Sequence, residues 1–238
     1  MKILAIDTSG LVASCAITEN GKCLAEYTLN YKMTHSQTIM PMVNEIVKMT
    51  ELDLKTLDYI ACSEGPGSFT GLRIGAATAK GLAHGLNIDI IPVPTLSALA
   101  YNIFNTDKLI CPIMDARRNQ VYTGIFRWKH GVLETVLPED ARSIDDIIEI
   151  AELNGQETIF LGDGVPVYKE KLMENTLFTL APANCNLQRA ASVAALAEVL
   201  ARQGRTVNGS MFAPVYLRKP QAERELEEKV ANEAKEIK

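Results

Sequence analysis

Ile3-Leu4-Ala5-Ile6-Asp7-Thr8-Ser9-Gly10 opens the chain, and Leu109-Ile110-Cys111-Pro112-Ile113-Met114-Asp115 repeats its form about a hundred residues later. Each is a short continuous apolar run, the pattern of a strand buried on both faces. Each stops at an aspartate and leads into a hairpin. Outward from the first run, residues 12–18 predict a second strand, Asn20-Gly21 a tight hairpin turn, and residues 23–29 a third strand. Thr34 or Ser36 can cap a helix reaching about Thr50. Strands at 57–63 and 89–93 then alternate with helices at 70–84 and 95–104. After the polar break Asn105-Thr106-Asp107-Lys108 the order restarts. A strand at 109–114 leads to a hairpin of 120–128 and 132–136 around His130-Gly131. Ser143 caps a helix to about Leu153, residues 158–161 form a strand, and helices follow at 165–174 and 189–203.

Strands mixed with helices in this order imply an α/β fold with a mixed sheet in each half. Asp7 and Asp115 hold equivalent places, so the chain reads as a duplication of one ribonuclease-H-like unit. Two such lobes form the actin, Hsp70 and sugar kinase (ASKHA) class. The expected division is a lobe at 1–104, a second lobe at 105–218, and a charged tail at 219–238.

Composition narrows the function classes. The 238 residues are 47% hydrophobic and 22% charged, which excludes a disordered or collagen-like chain. The formal net charge of −5 lacks the basic footprint of a protein that grips nucleic acid alone. The five cysteines form no CxxC pair, and Cys15, Cys62 and Cys111 sit in apolar runs, which fits a reducing compartment. No apolar run approaches the ~18 residues of a membrane span, and the first apolar run ends too soon for a leader peptide. A cytoplasmic location is expected, with no membrane partner.

In ASKHA enzymes an aspartate at a strand end can hold a hydrated metal ion, and the following turn offers N–H groups to phosphate. Asp7, Thr8, Ser9, Asp115 and Arg117 are therefore the candidates for a vestigial nucleotide site. An ATP-dependent small-molecule kinase or ATPase of this fold is the alternative function. The loop Glu64-Gly65-Pro66-Gly67-Ser68-Phe69-Thr70-Gly71-Leu72-Arg73-Ile74-Gly75 lies between a strand and a helix, where an anion could sit. It matches none of GxxxxGK[ST], GxGxxG or GxSxG, and a tight turn before a close-packed helix explains it as well.

Asp7-Thr8-Ser9, His35-Ser36, the loop from Gly65 to Gly75, Asp115-Ala116-Arg117-Arg118-Asn119-Gln120-Val121-Tyr122 and Pro214-Val215-Tyr216-Leu217-Arg218 together resemble the TsaB family, also called YeaZ. The resemblance runs from about residue 1 to 218. It implies a two-lobed fold of the actin-like ATPase class. It also implies pairing with the catalytic paralogue TsaD, together with the ATPase TsaE. That complex transfers a threonylcarbamoyl group to the adenosine beside the anticodon of tRNAs reading ANN codons. Within it the family is a non-catalytic partner. ATP and magnesium are implied for the other subunits, with no cofactor bound by this chain alone and tRNA reached through the complex.

The catalytic paralogue carries HxxxH on the helix that closes the first half, a spacing that aims both imidazoles at one metal. Here Thr95 and Leu99 stand at those positions, so no metal site is expected. His35, His84 and His130 read as a helix cap, a helix-surface residue and a turn residue. Neither HExxH nor HxxxH supports a metallopeptidase. After Asp115 the chain runs Ala116-Arg117-Arg118-Asn119-Gln120, without the glycines that let backbone approach phosphate.

Two helices carry more apolar surface than one sheet can cover. From 35 to 50, Ile39, Met40, Met42, Val43, Ile46 and Val47, with Met49 at one edge, spread over roughly 180° of arc, where a helix on its own sheet needs about 100°. From 70 to 84, Gly71, Gly75 and Ala79 recur at four-residue spacing beside Arg73, Ile74, Thr78 and Leu82, and a second helix could ride in such a groove. These residues, Met49 apart, are the thirteen of the expected partner interface. Two helices from each subunit would form a four-helix bundle with TsaD, or with a second copy when the chain is alone.

Overall fold

β1 (Lys2–Asp7) is apolar on both faces because both faces are covered. The computed structural model describes residues 1–218; the charged tail expected at 219–238 lies outside the described residues. β1 pairs antiparallel with β2 (Ala13–Glu19), which pairs antiparallel with β3 (Lys22–Leu29). It pairs parallel on its other side with β4 (Tyr59–Gly65), followed by β5 (Asp89–Pro94), giving the order β3-β2-β1-β4-β5. Leu4 and Ile6 face one way, packing with Cys15, Ile17, Ile60 and Cys62 beneath α1 (His35–Met49) and α2 (Phe69–Leu86). Ile3 and Ala5 face the other way.

The second half repeats this plan. β6 (Leu109–Asp115), β7 (Gln120–Lys129), β8 (Val132–Ser143), β9 (Thr158–Leu161) and β10 (Phe178–Leu180) form a sheet in the order β10-β9-β6-β7-β8. Antiparallel and parallel pairings fall at the same places as in the first sheet. α4 (Ile144–Leu153) and α5 (Val165–Leu172) cover its outer face.

The helices that close each half are exchanged across the middle. α3 (Thr95–Ala100) follows the first sheet, yet Leu96, Leu99 and Ala100 pack on Ile110, Met114, Phe126 and Leu161 of the second. α7 (Ala190–Arg202) follows the second sheet and the short α6 (Ala183–Asn186), yet Ala190, Val193, Ala194 and Ala197 pack on Ile3, Ala5, Ile91 and Val93 of the first. The two lobes therefore share a helical layer.

Several boundaries differ from the sequence reading for local reasons. Thr34 rather than Ser36 precedes α1, with Gln37 Oε1 accepting from the Thr34 hydroxyl at 3.0 Å. Ser68 caps α2, its hydroxyl accepting the Gly71 N–H at 3.3 Å, so the helix starts at Phe69. α3 stops at Ala100 instead of continuing to 104. Asn102 turns to donate to the Cys185 and Leu187 carbonyls, and the Trp128 indole donates to the Ile103 carbonyl. β8 runs through Pro138 to Ser143, well beyond 136, because an edge strand tolerates a residue without an N–H.

Candidate functional site

The turn after β1 is closed in on itself. Asp7 Oδ1 accepts the Ser9 N–H at 2.8 Å and the Ser9 hydroxyl at 2.6 Å, while Oδ2 accepts the Ser63 hydroxyl at 2.7 Å. Burial pushes the Asp7 carboxyl above the usual carboxylate range, and the bonds from Ser9 and Ser63 pull against it. Thr8 donates its hydroxyl to the Gly71 carbonyl at 2.8 Å, and the Ser68 N–H donates to the Ser9 carbonyl at 2.7 Å. The glycine loop thus lies directly on this turn. A methyl group at Gly71 would sit 2.0 Å from the Thr8 carbonyl oxygen, and one at Gly67 would sit 2.4 Å from that of Ser9. The glycines make room for the chain's own backbone.

Across the lobe boundary, a cavity of about 710 Å³ is lined by Leu11, His35, Phe69, Asp115, Arg117 and Asp163 among others. The Asp115 N–H donates to Asp163 Oδ1 at 3.0 Å, and the Arg117 N–H donates to Asp115 Oδ1 at 2.9 Å. Burial lifts the Asp163 carboxyl to about 6, with the Asp115 amide bond opposing. Arg117, Arg118 and Asn119 have φ values of +65°, +55° and +58°, where glycine would be the unstrained residue.

ATP with a divalent ion is the group this kind of fold implies, and the residues present do not fit it. Asp7 and Thr8 are 1% and 2% exposed and do not line the cavity, whereas Ser9 borders it with its hydroxyl committed to Asp7. Both Asp7 oxygens are taken by side-chain or backbone donors, and the first phosphate turn is filled by Gly67 and Ser68. In the second turn, two arginines and an asparagine stand where phosphate needs bare backbone. Asp115 and Arg117 line the cavity together with Ser9. Thr95 starts α3 with its hydroxyl buried and unpartnered, and Leu99 points into the core under the second sheet. Among the described residues, no three His, Cys, Asp or Glu side chains are grouped to hold a metal ion.

The structure divides the thirteen expected interface residues. Ile39, Val43, Ile46, Gly71, Gly75 and Ala79 are buried against the first sheet or its turn, and their assignment to a partner surface is corrected here. The four-residue glycine row faces Thr8 and Cys62, because close packing on its own sheet is what made those positions small. Met40, Met42, Val47, Arg73, Ile74, Thr78 and Leu82 retain exposed or half-exposed surface on the adjoining outer faces of α1 and α2. Met49, with 66% of its surface exposed, extends that apolar strip at one end, and the exposed Tyr31 and Met33 precede its other end. Tyr31 and Met33 escaped the sequence reading because they precede the helix.

Sequence reasoning also missed Glu139. It reaches from β8 to α3, accepting the Ser97 N–H at 3.0 Å and the Ser97 hydroxyl at 2.7 Å. Burial lifts its carboxyl to about 7; the Ser97 bonds oppose this and neighbouring Glu64 adds to it. No local signal marks it, since its partner lies 42 residues away.

Residues 22–226 match the family model of the tRNA N6-adenosine threonylcarbamoyltransferase TsaD. The tRNA threonylcarbamoyladenosine biosynthesis protein TsaB of Bacillus subtilis is 36% identical over 223 residues, covering 94% of this chain and 96% of its own length. The chain belongs to the TsaB family. Its TsaB relative in Escherichia coli is 31% identical across 92% of this chain and 95% of its own. Among solved structures, YeaZ from Pseudomonas aeruginosa superposes with a TM-score of 0.76 at 25% identity, covering 91% of this chain and 99% of its own. A second Pseudomonas aeruginosa structure, described by similarity to peptidase YEAZ, gives 0.79 at 26% identity, covering 91% and 99%. The ADPNP-bound activator of 2-hydroxyisocaproyl-CoA dehydratase from Clostridium difficile, at 11% identity and a TM-score of 0.50 over 86% of this chain and 97% of its own, shares the two-lobe ASKHA fold alone. No described helix is long and apolar enough to cross a membrane.

Proposed function

We propose that this chain is a non-catalytic partner subunit that docks TsaD through the outer faces of α1 and α2. Membership of the TsaB family ties it to the biosynthesis of tRNA threonylcarbamoyladenosine. The observation that carries the docking reading is the apolar strip of Met40, Met42, Val47, Ile74 and Leu82, left partly open beside a phosphate turn filled by the chain itself. A methionine-rich strip adapts its shape to a partner, and burying it recovers about 25 cal/mol per Å². Two helices from each subunit complete a four-helix bundle. TsaE and tRNA are met through that complex, and the isolated chain self-associates through the same strip.

The role is tested by reconstitution. With TsaD, TsaE, ATP, magnesium and the threonylcarbamoyl donor, the account expects tRNA modification only when this chain is added. It expects none from the chain without TsaD. Modification by the chain without TsaD, or full modification in its absence, contradicts the reading.

A further inference from the structure

The segment after α7 crosses the first lobe as a strap. The Val207 N–H donates to the Ile90 carbonyl at 2.8 Å, and the Ile90 N–H returns a bond to Val207 at 2.9 Å. Lys80 on α2 donates its ammonium to the carbonyls of Ser210 (3.3 Å) and Phe212 (3.1 Å), and the Phe212 ring is buried in the first core. The Val215 N–H donates to the Glu64 carbonyl at 2.7 Å. Gly65 lies so close beneath that a methyl group there would meet the Val215 carbonyl oxygen at 2.2 Å. Tyr216 then stacks on Phe69 with ring centroids 4.7 Å apart. Arg73 sits over the same Phe69 ring at 3.9 Å and donates Nε–H to the Tyr216 hydroxyl at 3.2 Å. Finally Arg218 leaves the first lobe and donates to the Ala116 carbonyl of the second at 2.5 Å.

Phe69 and Ala116 line opposite sides of the interlobe cavity. The lobes are also joined through α3 and α7, which touch each other while each packs on the sheet of the other half. A boundary packed through shared helices and spanned by a side chain beside its cavity has the parts of a hinge and a catch. We infer that residues 207–218 form a latch that sets the separation of the two lobes, with Arg218 as its interlobe bolt and the Phe69–Arg73–Tyr216 stack as its anchor. This goes beyond the docking reading and does not depend on it.

The test uses the full isolated chain. Leu11, exposed at the first-lobe rim, and Val167, exposed at the second-lobe rim, both line the cavity and are replaced by cysteine for spin labelling, with Cys23→Ser and Cys185→Ser removing the accessible thiols. Pulsed dipolar spectroscopy gives the distance distribution between the labels. The latch predicts a narrow distribution for the parent. Arg218→Ala should broaden it and move it outward by about 5 Å or more, and Tyr216→Ala should do the same. An Arg218→Ala distribution that superposes on the parent overturns the proposal. Because Arg218 lies at the surface end of the strap, its variant carries the test even where Tyr216→Ala does not fold.

Discussion

Gly71 shows how one hydrogen atom in place of a methyl group decides the character of a site. The Thr8 carbonyl occupies the space where a side chain would begin, and Thr8 in turn donates to the Gly71 carbonyl. Gly71→Ala must therefore push the glycine loop off the aspartate turn. We expect it to destabilise the chain by about 1–3 kcal/mol, measured by denaturant unfolding, the usual range for overpacking a closed contact. Glu139 offers a titration test. Its folded pKa, near 7, lies above its ordinary value of 4.5, so the folded chain holds that proton more tightly than the unfolded chain. The stabilisation is complete below about pH 4.5 and is lost as pH rises toward 7. Glu139→Gln keeps an acceptor for Ser97 without the charge. It should flatten the decline in stability between pH 5 and 8 and leave the variant about 1–3 kcal/mol more stable than the parent at pH 8. An unchanged pH profile would show that Glu139 ionises freely.

α2 carries the contrast between what a sequence discloses and what it hides. Gly71, Gly75, Gly81 and Gly85 look alike as letters in a helix of small residues. In space, methyl groups at the first two would strike Thr8, whereas those at Gly81 and Gly85 would meet nothing within 4 Å. Gly81→Ala should raise stability by about 0.5–1 kcal/mol through helix propensity, read as a rise in unfolding midpoint, in opposition to Gly71→Ala. The apolar excess of α1 and α2 was legible, because periodicity reports how wide a stripe is. Which part of the stripe the sheet takes was not legible, so Ile39, Val43 and Ile46 could not be told from Met40 and Met42 before the core was seen. The repeated strand, aspartate and hairpin also declared the duplication correctly, since buried strands announce themselves as unbroken apolar runs. β10 escaped notice because three residues carry no period, and the exchange of α3 and α7 between sheets left no local mark.

At the scale of the whole molecule, two lobes of one plan are joined, and the turn after β1 is covered by the chain's own glycine loop. What remains open is the outer surface of α1 and α2, and the central claim is that TsaD covers it. The decisive substitutions must lie on that surface. Ile39 and Gly75 would report only a damaged core, whereas Ile74 and Leu82 are half-exposed and keep their backbone roles when changed. The most direct measurement is the solution mass of an equimolar mixture with TsaD, by sedimentation at micromolar concentration, for the parent and for the Ile74→Glu, Leu82→Glu double variant. The account predicts a heteromeric mass for the parent and separate subunits for a variant whose circular dichroism is unchanged. A folded double variant that still runs at the heteromeric mass would put the interface elsewhere, and a parent that never joins TsaD would contradict the partner-subunit account.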